Sequence, residues 1–533
     1  MSQKIIDIDN LDLELTRELN KISFEIKDYC INLFDDLYKE NPSIVSFASN
    51  LLSKDSNFSD SYKLISQLFL IHKLLKKKPT FTIKVSNKDL YRFCKKKFKT
   101  KKIILNTQNL SFFKIKSVVY IFITIIINIT FKFLFQNTKK YNEINLIDTF
   151  VLKSSLNNGK YNDRWYNSFI FDLKNCFYLP TLLVSPFKLY STLKTINDSN
   201  RFILKESFLG LKDYLKILKI FFSQNLVIKN KVLNGVDISE ILYRQHISYR
   251  YNISTFRALC NYYFINKFIK KGNTINSLIN WNENQPIDKC LVRAISDFAK
   301  ETKVVGIRSF VSSPQNLNLY ISKFEFNNNL TPKIFFICSP HLKNFYSSVK
   351  KDVILKPFNY NRGIGLFDQK IKEKKIILSI LPIDFELSQS IIKDINYLDS
   401  KLNDFIFYIK IHPNFKKQSF TNLKNKNLIN QDKFSSVFEK SFLIITSNST
   451  SGIEAINNNK FVIFRLRNSR FFNIPLIDSL DKRFFQTSFS SLETESKIKF
   501  FTKQSISSAD LKRNLDSLFY KDYPNKLSYL INE

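Results

Sequence analysis

Two spacings of apolar residues divide this chain. Up to about residue 75 they recur every three or four positions, as in LTRELNKISFEIKDYCINLFDDLYKE (15–40), and this spacing predicts helices. TFTIKV (80–85) alternates like a short strand, and NKDLYRFCKKKF (87–98) returns to helical spacing. EINLIDTFVL (143–152) reads as a strand. DYLKILKIFFSQN (213–225) and FRALCNYYFINKFIKKG (256–272) read as helices, the second stopped by Gly272.

From residue 300 the pattern becomes regular. TKVVGIRSF (302–310), KIFFICS (333–339), KKIILSILP (374–382), FIFYIKIHP (405–413), SFLIITSNS (441–449) and KFVIFRL (460–466) are strand-like. Helical or loop segments such as ELSQSIIKDINYLDSKL (386–402) and SGIEAINNN (451–459) separate them. Near-continuous apolar strands alternating with helices predict an α/β fold, a parallel sheet covered on both faces. Ligands of such sheets bind at the C-terminal ends of the strands. His412, one of four histidines, stands at such an end, with Pro413 closing the strand because it has no N–H for a ladder. The cluster Ser447-Asn448-Ser449-Thr450-Ser451 stands at another.

The run SVVYIFITIIINITFKFLF (117–135) is almost wholly apolar, interrupted only by Asn128 and Lys132. Lys114 and Lys116 precede it, and Lys139 and Lys140 follow. A spanning helix needs about 20 apolar residues. A membrane-embedded or membrane-lying helix and buried core both remain open readings, the flanking lysines suiting anionic head groups.

At 533 residues the chain exceeds one core, so two domains are expected. Hydrophobic residues at 44% and 53 Phe exclude a disordered chain. Lys+Arg total 82 against Asp+Glu 46, a net charge of +36. Either much of this is solvated surface lysine, or the partner is anionic: a phosphorylated substrate or an acidic membrane surface. Zinc-finger spacing, RNA-binding aromatic signatures and Arg-rich arms are missing, so nucleic acid is not expected. Six scattered cysteines form no CxxC, which fits free thiols in a reducing cytosol. The start, MSQKIIDIDNLDLELTREL, is acidic and amphipathic rather than a signal peptide.

Four stretches carry candidate chemistry. Lys410 and His412 both donate to anionic oxygen and suit a phosphate; the alternative is a satisfied core histidine. TSNSTSGIEAI (446–456) is a hydroxyl-rich turn entering a helix with Gly452 and Glu454 in its first turn. Backbone N–H groups there make an anion cradle, or Ser449 is an ordinary N-cap. Both motifs are expected to end neighbouring strands, within one phosphate's reach. In WNENQPIDKCLVRAI (281–295) Pro286 opens a helix, and Glu283 is either a carboxylate base or a polar cap. In YNDRWYNSF (161–169) Asp163 and Arg164 pair with each other or face a cleft.

KIHP followed by TSNSTSGIEA resembles the C-terminal half of bacterial surface-carbohydrate glycosyltransferases of the GT-B type. These are capsule and lipopolysaccharide biosynthesis proteins, distantly similar to polysialyltransferases and Kdo transferases. WNENQPIDK resembles the FENQPWE element of one such group, and DRWY (163–166) and SKDSNFSDS (53–61) resemble parts of its N-terminal half. The resemblance spans roughly 45–490 and departs in two places. Gly306-Ile307-Arg308-Ser309 stands where the family tends to have Gly-Tyr-Gln-His, and Trp281-Asn282-Glu283-Asn284 carries an extra polar step before the glutamate.

The resemblance implies two Rossmann-like domains facing a cleft: an acceptor-side domain at 1–310 with an extra helical N-terminal region, a nucleotide-sugar domain at 311–505, and a helix at 506–533 packing back. It implies sugar transfer from a nucleotide-sugar, often CMP-linked, to a glycan or lipid-linked acceptor at the inner face of the plasma membrane. Lys410, His412, Ser447, Ser449, Thr450, Ser451 and Glu454 would hold the nucleotide. Glu283 would be the general base, with Asp163 its rival, and Arg164, Asn284, Gln285 and Arg308 would bind substrate. No metal and no cofactor beyond the donor are expected; the one Asp-x-Asp, Asp7-Ile8-Asp9, lies in the N-terminal amphipathic stretch. An epimerase or glycerophosphotransferase of the same architecture, and a non-catalytic membrane-associated assembly protein, are the rival readings.

Overall fold

The computed structural model describes residues 5–55, 59–77, 82–98, 103–105, 112–135, 139–152, 155–157, 160–163, 165–166, 169, 171–359, 375–413, 415, 417–420, 423, 428–475, 480–504, 518–520 and 522–532. Arg164 lies outside them, as does part of the expected C-terminal helix.

The N-terminal region is helical but not only helical. Strands β1 (Ile5–Asp7), β2 (Thr82–Val85) and β3 (Ile103–Leu105) form a small parallel sheet. Helix α1 (Leu13–Glu40) starts where the Asp12 carboxylate accepts from Leu15 N at 2.8 Å. Leu19, Ile22, Ile26, Cys30, Leu33 and Leu37 bury its apolar stripe, against helix α2 (Ser61–Lys77) among others.

The apolar run is helix α3 (Phe112–Leu134). Ile121, Ile125 and Phe131 are buried, whereas Val119, Phe122, Ile126 and Phe133 are 44–78% exposed. The helix is long and apolar enough to cross a membrane, yet only 22% of the residues in its most apolar stretch are buried. It is therefore not a core helix: one face packs on the protein and the other is bare.

The first large sheet is wholly parallel. Its strands are β4 (Ile144–Val151), β5 (Cys176–Leu182), β6 (Ile275–Trp281), β7 (Lys303–Arg308), β8 (Ile334–Ile337) and β9 (Ile354–Pro357), in the order β9-β8-β7-β6-β4-β5. Helices α4 (Pro186–Asn197), α5 (Leu211–Phe222), α6 (Ile253–Lys270) and α7 (Pro286–Phe298) belong to its crossovers. β4 is buried at every position, as a sheet covered on both faces requires.

The second sheet, also parallel, contains β10 (Ile376–Ile380), β11 (Ile406–Lys410), β12 (Leu443–Thr446), β13 (Phe461–Arg465) and β14 (Phe485–Ser488), ordered β11-β10-β12-β13-β14. Helix α8 (Thr450–Asn457) follows β12. Helix α9 (Leu527–Asn532) returns to the first sheet, where Tyr529 meets Phe336 edge-on at 5.4 Å. The expected boundary at 310 is corrected by this topology. β8 and β9 pair within the first sheet, so the sheets divide between Pro357 and Ile376.

In both sheets the first strand lies between the second and third, so chain progression reverses beside it. That reversal opens a crevice at the C-terminal edge, between β4 and β6 in one sheet and β10 and β12 in the other. Asn20 on α1 ties the two halves: its amide nitrogen donates to Arg470 O at 3.1 Å, and its oxygen accepts from Phe472 N at 2.9 Å and Gln315 Nε2 at 3.1 Å.

Candidate functional site

A cavity of about 300 Å3 lies beside the C-terminal edges of both sheets, lined by Asp55, Glu283, Asn318, Asn448, Thr450 and Asn473 among others. It takes residues from the ends of β6 and β12 and from the N-terminal region.

Glu283 reaches this cavity because the chain turns sharply after β6. Asn282 N still donates to Ile307 O at 3.1 Å, prolonging the sheet by one residue. Asn284 then adopts φ 56°, a left-handed conformation asparagine tolerates better than most residues. Asp288 in the first turn of α7 accepts from Glu283 N at 2.9 Å and Gln285 N at 3.0 Å, fixing the turn as a helix cap. The Glu283 carboxylate accepts from Trp281 Nε1 at 3.1 Å and Gln285 Nε2 at 2.8 Å. These two neutral donors fix the orientation of the carboxylate.

Behind it lies a buried polar layer. Burial pushes the Asp148 carboxyl up to about 7, with the nearby Lys205 charge opposing. Asp148 accepts from Asn280 Nδ2 at 2.8 Å. Burial, then the Asp148 charge, raises Asp288 well above the carboxylate range. Glu325 accepts from Lys54 at 2.9 Å and Lys289 at 2.7 Å, and these two ammonium groups hold its carboxyl down at about 2 against its burial.

The other candidates are more dispersed. Asn284 donates to Asn318 O at 2.8 Å and Glu325 Oε1 at 3.2 Å, supporting the turn. Arg308 is fully buried, donating to Leu319 O at 2.7 Å and lying over the rings of Phe335 and Tyr346. Burial lowers its pKa. Asp163 takes Trp165 N at 2.7 Å and Tyr166 N at 2.9 Å on one oxygen, shaping its own loop; burial raises its pKa against those donors. A chain of rings connects it indirectly to Glu283, since Trp165 packs 4.9 Å from Trp281.

In the second sheet, Ser449 is the N-cap of α8, accepting from Ser451 N at 3.3 Å and Ser451 Oγ at 2.8 Å. Ser447 is buried, and Glu454 is half-buried. Gly452 is the one residue the packing allows in that turn: a Cβ there would stand 2.4 Å from the Phe464 ring. Lys410 lies over the Phe434 ring at 5.9 Å, and His412 is half-buried beside Phe415. The expectation of neighbouring strands is corrected here. β10 separates the two motifs, with Ile380 level with Lys410 on one side and its carbonyl accepting from Thr446 Oγ1 at 3.0 Å on the other. Two strand spacings put the backbones of Lys410 and Thr446 about 10 Å apart.

From the sequence candidates the cavity lining therefore gathers Glu283 and Thr450, but not Asp163, Asn284, Gln285, Arg308, Lys410, His412, Ser447, Ser449, Ser451 or Glu454. It adds Asp55, Asn318 and Asn473, which sequence reasoning did not single out. For Asp55 a signal existed, because it sits within SKDSNFSDS. Among the described residues, no group of His, Cys, Asp and Glu is arranged to hold a metal ion.

No protein-family model matches this chain, and no curated protein matches its sequence. Solved structures that resemble it include Staphylococcus aureus MnaA with UDP, at 12% identity and TM-score 0.38, covering 71% of this chain and 93% of that one. Acinetobacter baumannii MurG matches at 8% identity and TM-score 0.38, covering 73% and 98%. Neisseria meningitidis UDP-GlcNAc 2-epimerase bound to UDP-GlcNAc matches at 12% and 0.37, covering 72% and 96%. At these values the likeness concerns the course of the chain and says nothing of its chemistry. The topology itself defines the class: an α/β chain with two Rossmann-like parallel sheets and a cavity between their C-terminal edges, a GT-B-like arrangement.

Proposed function

We propose that this chain is a glycosyltransferase of surface polysaccharide or lipopolysaccharide assembly, moving a sugar from a nucleotide-sugar to a glycan or lipid-linked acceptor. The observation that carries this reading is the cavity shared by Glu283 and Thr450, lined by residues that follow strands of both parallel sheets. One edge receives the donor and the other the acceptor.

In this reading the Glu283 carboxylate takes the proton of the acceptor hydroxyl as that oxygen bonds to the sugar carbon. The bond from the sugar to the nucleotide phosphate breaks, and charge grows on the departing phosphate. The first turn of α8 with Thr450 meets that charge on the cavity side. Lys410 and His412 meet the nucleotide on the far side of β10. The bare face of α3 and the net charge of +36 support docking on an anionic membrane, where lipid-linked acceptors reside.

The experiment is a donor panel of CMP-, CDP- and UDP-sugars, followed by product analysis with and without lipid-linked acceptor. Transfer from one donor, abolished in Glu283→Gln with nucleotide binding intact, is the expected result. Conversion of the donor sugar without any acceptor would instead make the chain an epimerase. Nucleotide binding without turnover would make it an assembly protein.

A further inference from the structure

A second cavity, of about 430 Å3, adjoins the one that holds Glu283, and Ser312 lies in the walls of both. Three stretches line it. Helix α1 supplies Lys27, Asp28 and Asn32. The segment after β7 supplies Ser312, Pro314 and Tyr320. The short helix Pro340–Val349, which follows β8, supplies His341, Asn344, Ser347 and Ser348. The second cavity therefore also stands at the C-terminal edge of the first sheet, where parallel strands present their ligands.

The segment after β7 is a fixed wall between the two cavities. Ser312 and Pro314 line the second, while Asn316 and Asn318 line the first. Gln315 Nε2 pins the segment to α1, donating to Asn20 Oδ1 at 3.1 Å and Ser23 Oγ at 2.7 Å. Asn318 Nδ2 donates to Glu283 O at 2.8 Å, and Lys54 donates to Tyr320 O at 3.1 Å. Lys27 above its ring at 4.8 Å and Phe345 edge-on at 4.8 Å hold the Tyr320 side chain. The wall of the second cavity thus also supports the turn of Glu283, so a group seated there stands at a set distance from that carboxylate.

The lining selects the ligand by its polarity. The amides of Asn32 and Asn344 and the hydroxyls of Ser347 and Ser348 are exposed, and each both donates and accepts. Lys27, Asp28 and His341 are the lining groups that can carry charge near neutral pH. Lys27 stands 3.6 Å from Asp28 and donates to the Tyr320 hydroxyl at 3.3 Å, so its charge is offset within the wall. A nucleotide diphosphate needs a surplus of cationic donors, and a lipid needs bare apolar surface. Neither is offered, since Ile31 and Phe345 in this wall are buried. An uncharged ligand bearing hydroxyls on every side matches the lining, and the volume lies in the range of small-ligand sites.

We propose that this second cavity is an acceptor subsite for a neutral oligosaccharide, seating an uncharged sugar unit behind the one whose hydroxyl lies at Glu283. The acceptor is then a glycan chain of more than one sugar rather than a bare lipid or a first sugar. The subsite's role in transfer rests on the glycosyltransferase reading of the Glu283 cavity; its binding of sugar is tested separately.

The test is retention of the full chain on an array of immobilised neutral and acidic oligosaccharides in about 1 M salt, which screens the charge of +36. Retention of neutral oligosaccharides is expected. Asn32→Trp and Ser348→Trp, which fill the cavity from two walls, should weaken it about tenfold or more. Both positions are exposed, so both variants should fold, which thermal melts check. In transfer assays with an active donor, the same variants should raise the KM for an oligosaccharide acceptor about tenfold. Their kcat, their KM for the donor and their use of a monosaccharide acceptor should match the wild type. Sugar retention that the variants lose, without transfer from any donor, would leave the subsite standing and overturn the transferase reading. Transfer with an oligosaccharide KM unchanged in the folded variants would overturn the subsite and leave the transferase reading. Retention of acidic oligosaccharides alone, equal in variants and wild type, would be ion exchange on surface lysines and would overturn the subsite, as would retention of none.

Discussion

Lys54 and Glu325, 271 residues apart in the chain, form an ion pair of 2.9 Å in which both side chains are fully buried. Lys289 closes on the other carboxylate oxygen at 2.7 Å. The three charges fasten the N-terminal region to the first sheet directly behind Asn284, hence behind the turn that carries Glu283. Glu325→Gln strands two buried ammonium groups and should lower stability by about 3–5 kcal/mol. Lys54→Met leaves Lys289 in place and should cost less. Because the folded carboxyl titrates at about 2, below its unfolded value, this stabilisation is present at neutral pH and is lost as pH falls from about 4.5 toward 2. Urea melts at pH 7 and pH 3 check both statements: the mutant's deficit should shrink in acid, and a deficit of equal size at both pH values would contradict the charge argument.

The two carboxylates lining the cleft, Glu283 and Asp55, can be told apart kinetically. Glu283→Gln should keep nucleotide affinity and lose transfer by about 10²-fold or more, as removal of a general base does. Asp55→Asn should show mainly a raised KM for acceptor if Asp55 only orients hydroxyls. Asp163→Asn should lose stability rather than chemistry, since its carboxylate holds the Trp165 and Tyr166 amides. Near-normal transfer in Glu283→Gln, beside a collapse in Asp55→Asn, would move the base to Asp55.

Much of this fold is legible in the sequence wherever a strand is long and buried on both faces. The runs containing β10 to β13 stand out because Ile, Phe and Leu fill them without alternation. Of the small sheet β1-β2-β3 only β2 stands out, through the alternation of TFTIKV; β1 and β3, of three residues each, carry too little pattern to separate from a loop. The sheet boundary misled for another reason: periodicity shows that KIFFICS is a strand, not which sheet it joins. Strand order is equally silent in sequence, so β10 between His412 and Thr450 could not be foreseen. Asn473 reaches the cavity on a loop, 469–473, held by Thr16 and Asn20, a contact that only the folded chain makes.

That strand order bears on the donor site. If both residues bind the donor, the intervening β10 means that His412 and Thr450 meet different parts of it rather than one phosphate. His412→Ala and Thr450→Val should each weaken nucleotide binding, and their effects should add to within about 0.5 kcal/mol, as for separated sites. Calorimetry on the two single variants and the double variant decides it; coupling well above that value would mean that one group of the donor bridges both.

Gly452 offers a purely steric probe of the same half. A methyl group there would meet the Phe464 ring at 2.4 Å and Thr446 Cγ2 at 3.1 Å, both from the sheet under α8. Gly452→Ala should therefore push the first turn of α8 off the sheet, costing about 1–3 kcal/mol as overpacking does. Nucleotide affinity should fall with it. A stable variant with unchanged affinity would show that the turn's position does not matter to the donor.

The bare face of α3 makes the last prediction. Ile126 and Phe133 are 64% and 78% exposed, while Ile125, one residue away, is 6% exposed. If the helix lies along the bilayer surface by its outer face, Ile126→Glu and Phe133→Glu should move the protein from membrane to soluble fraction, because each places an anion among buried acyl chains and against an anionic surface. Neither touches the core, so the thermal midpoint should hold. Ile125→Glu should do the opposite, unfolding the domain by burying an unpaired charge. Raising the salt should release the wild-type protein only in part, since screening weakens the lysine attraction and leaves apolar burial untouched. Unchanged fractionation of folded Ile126→Glu and Phe133→Glu would mean that the outer face of α3 meets something other than lipid.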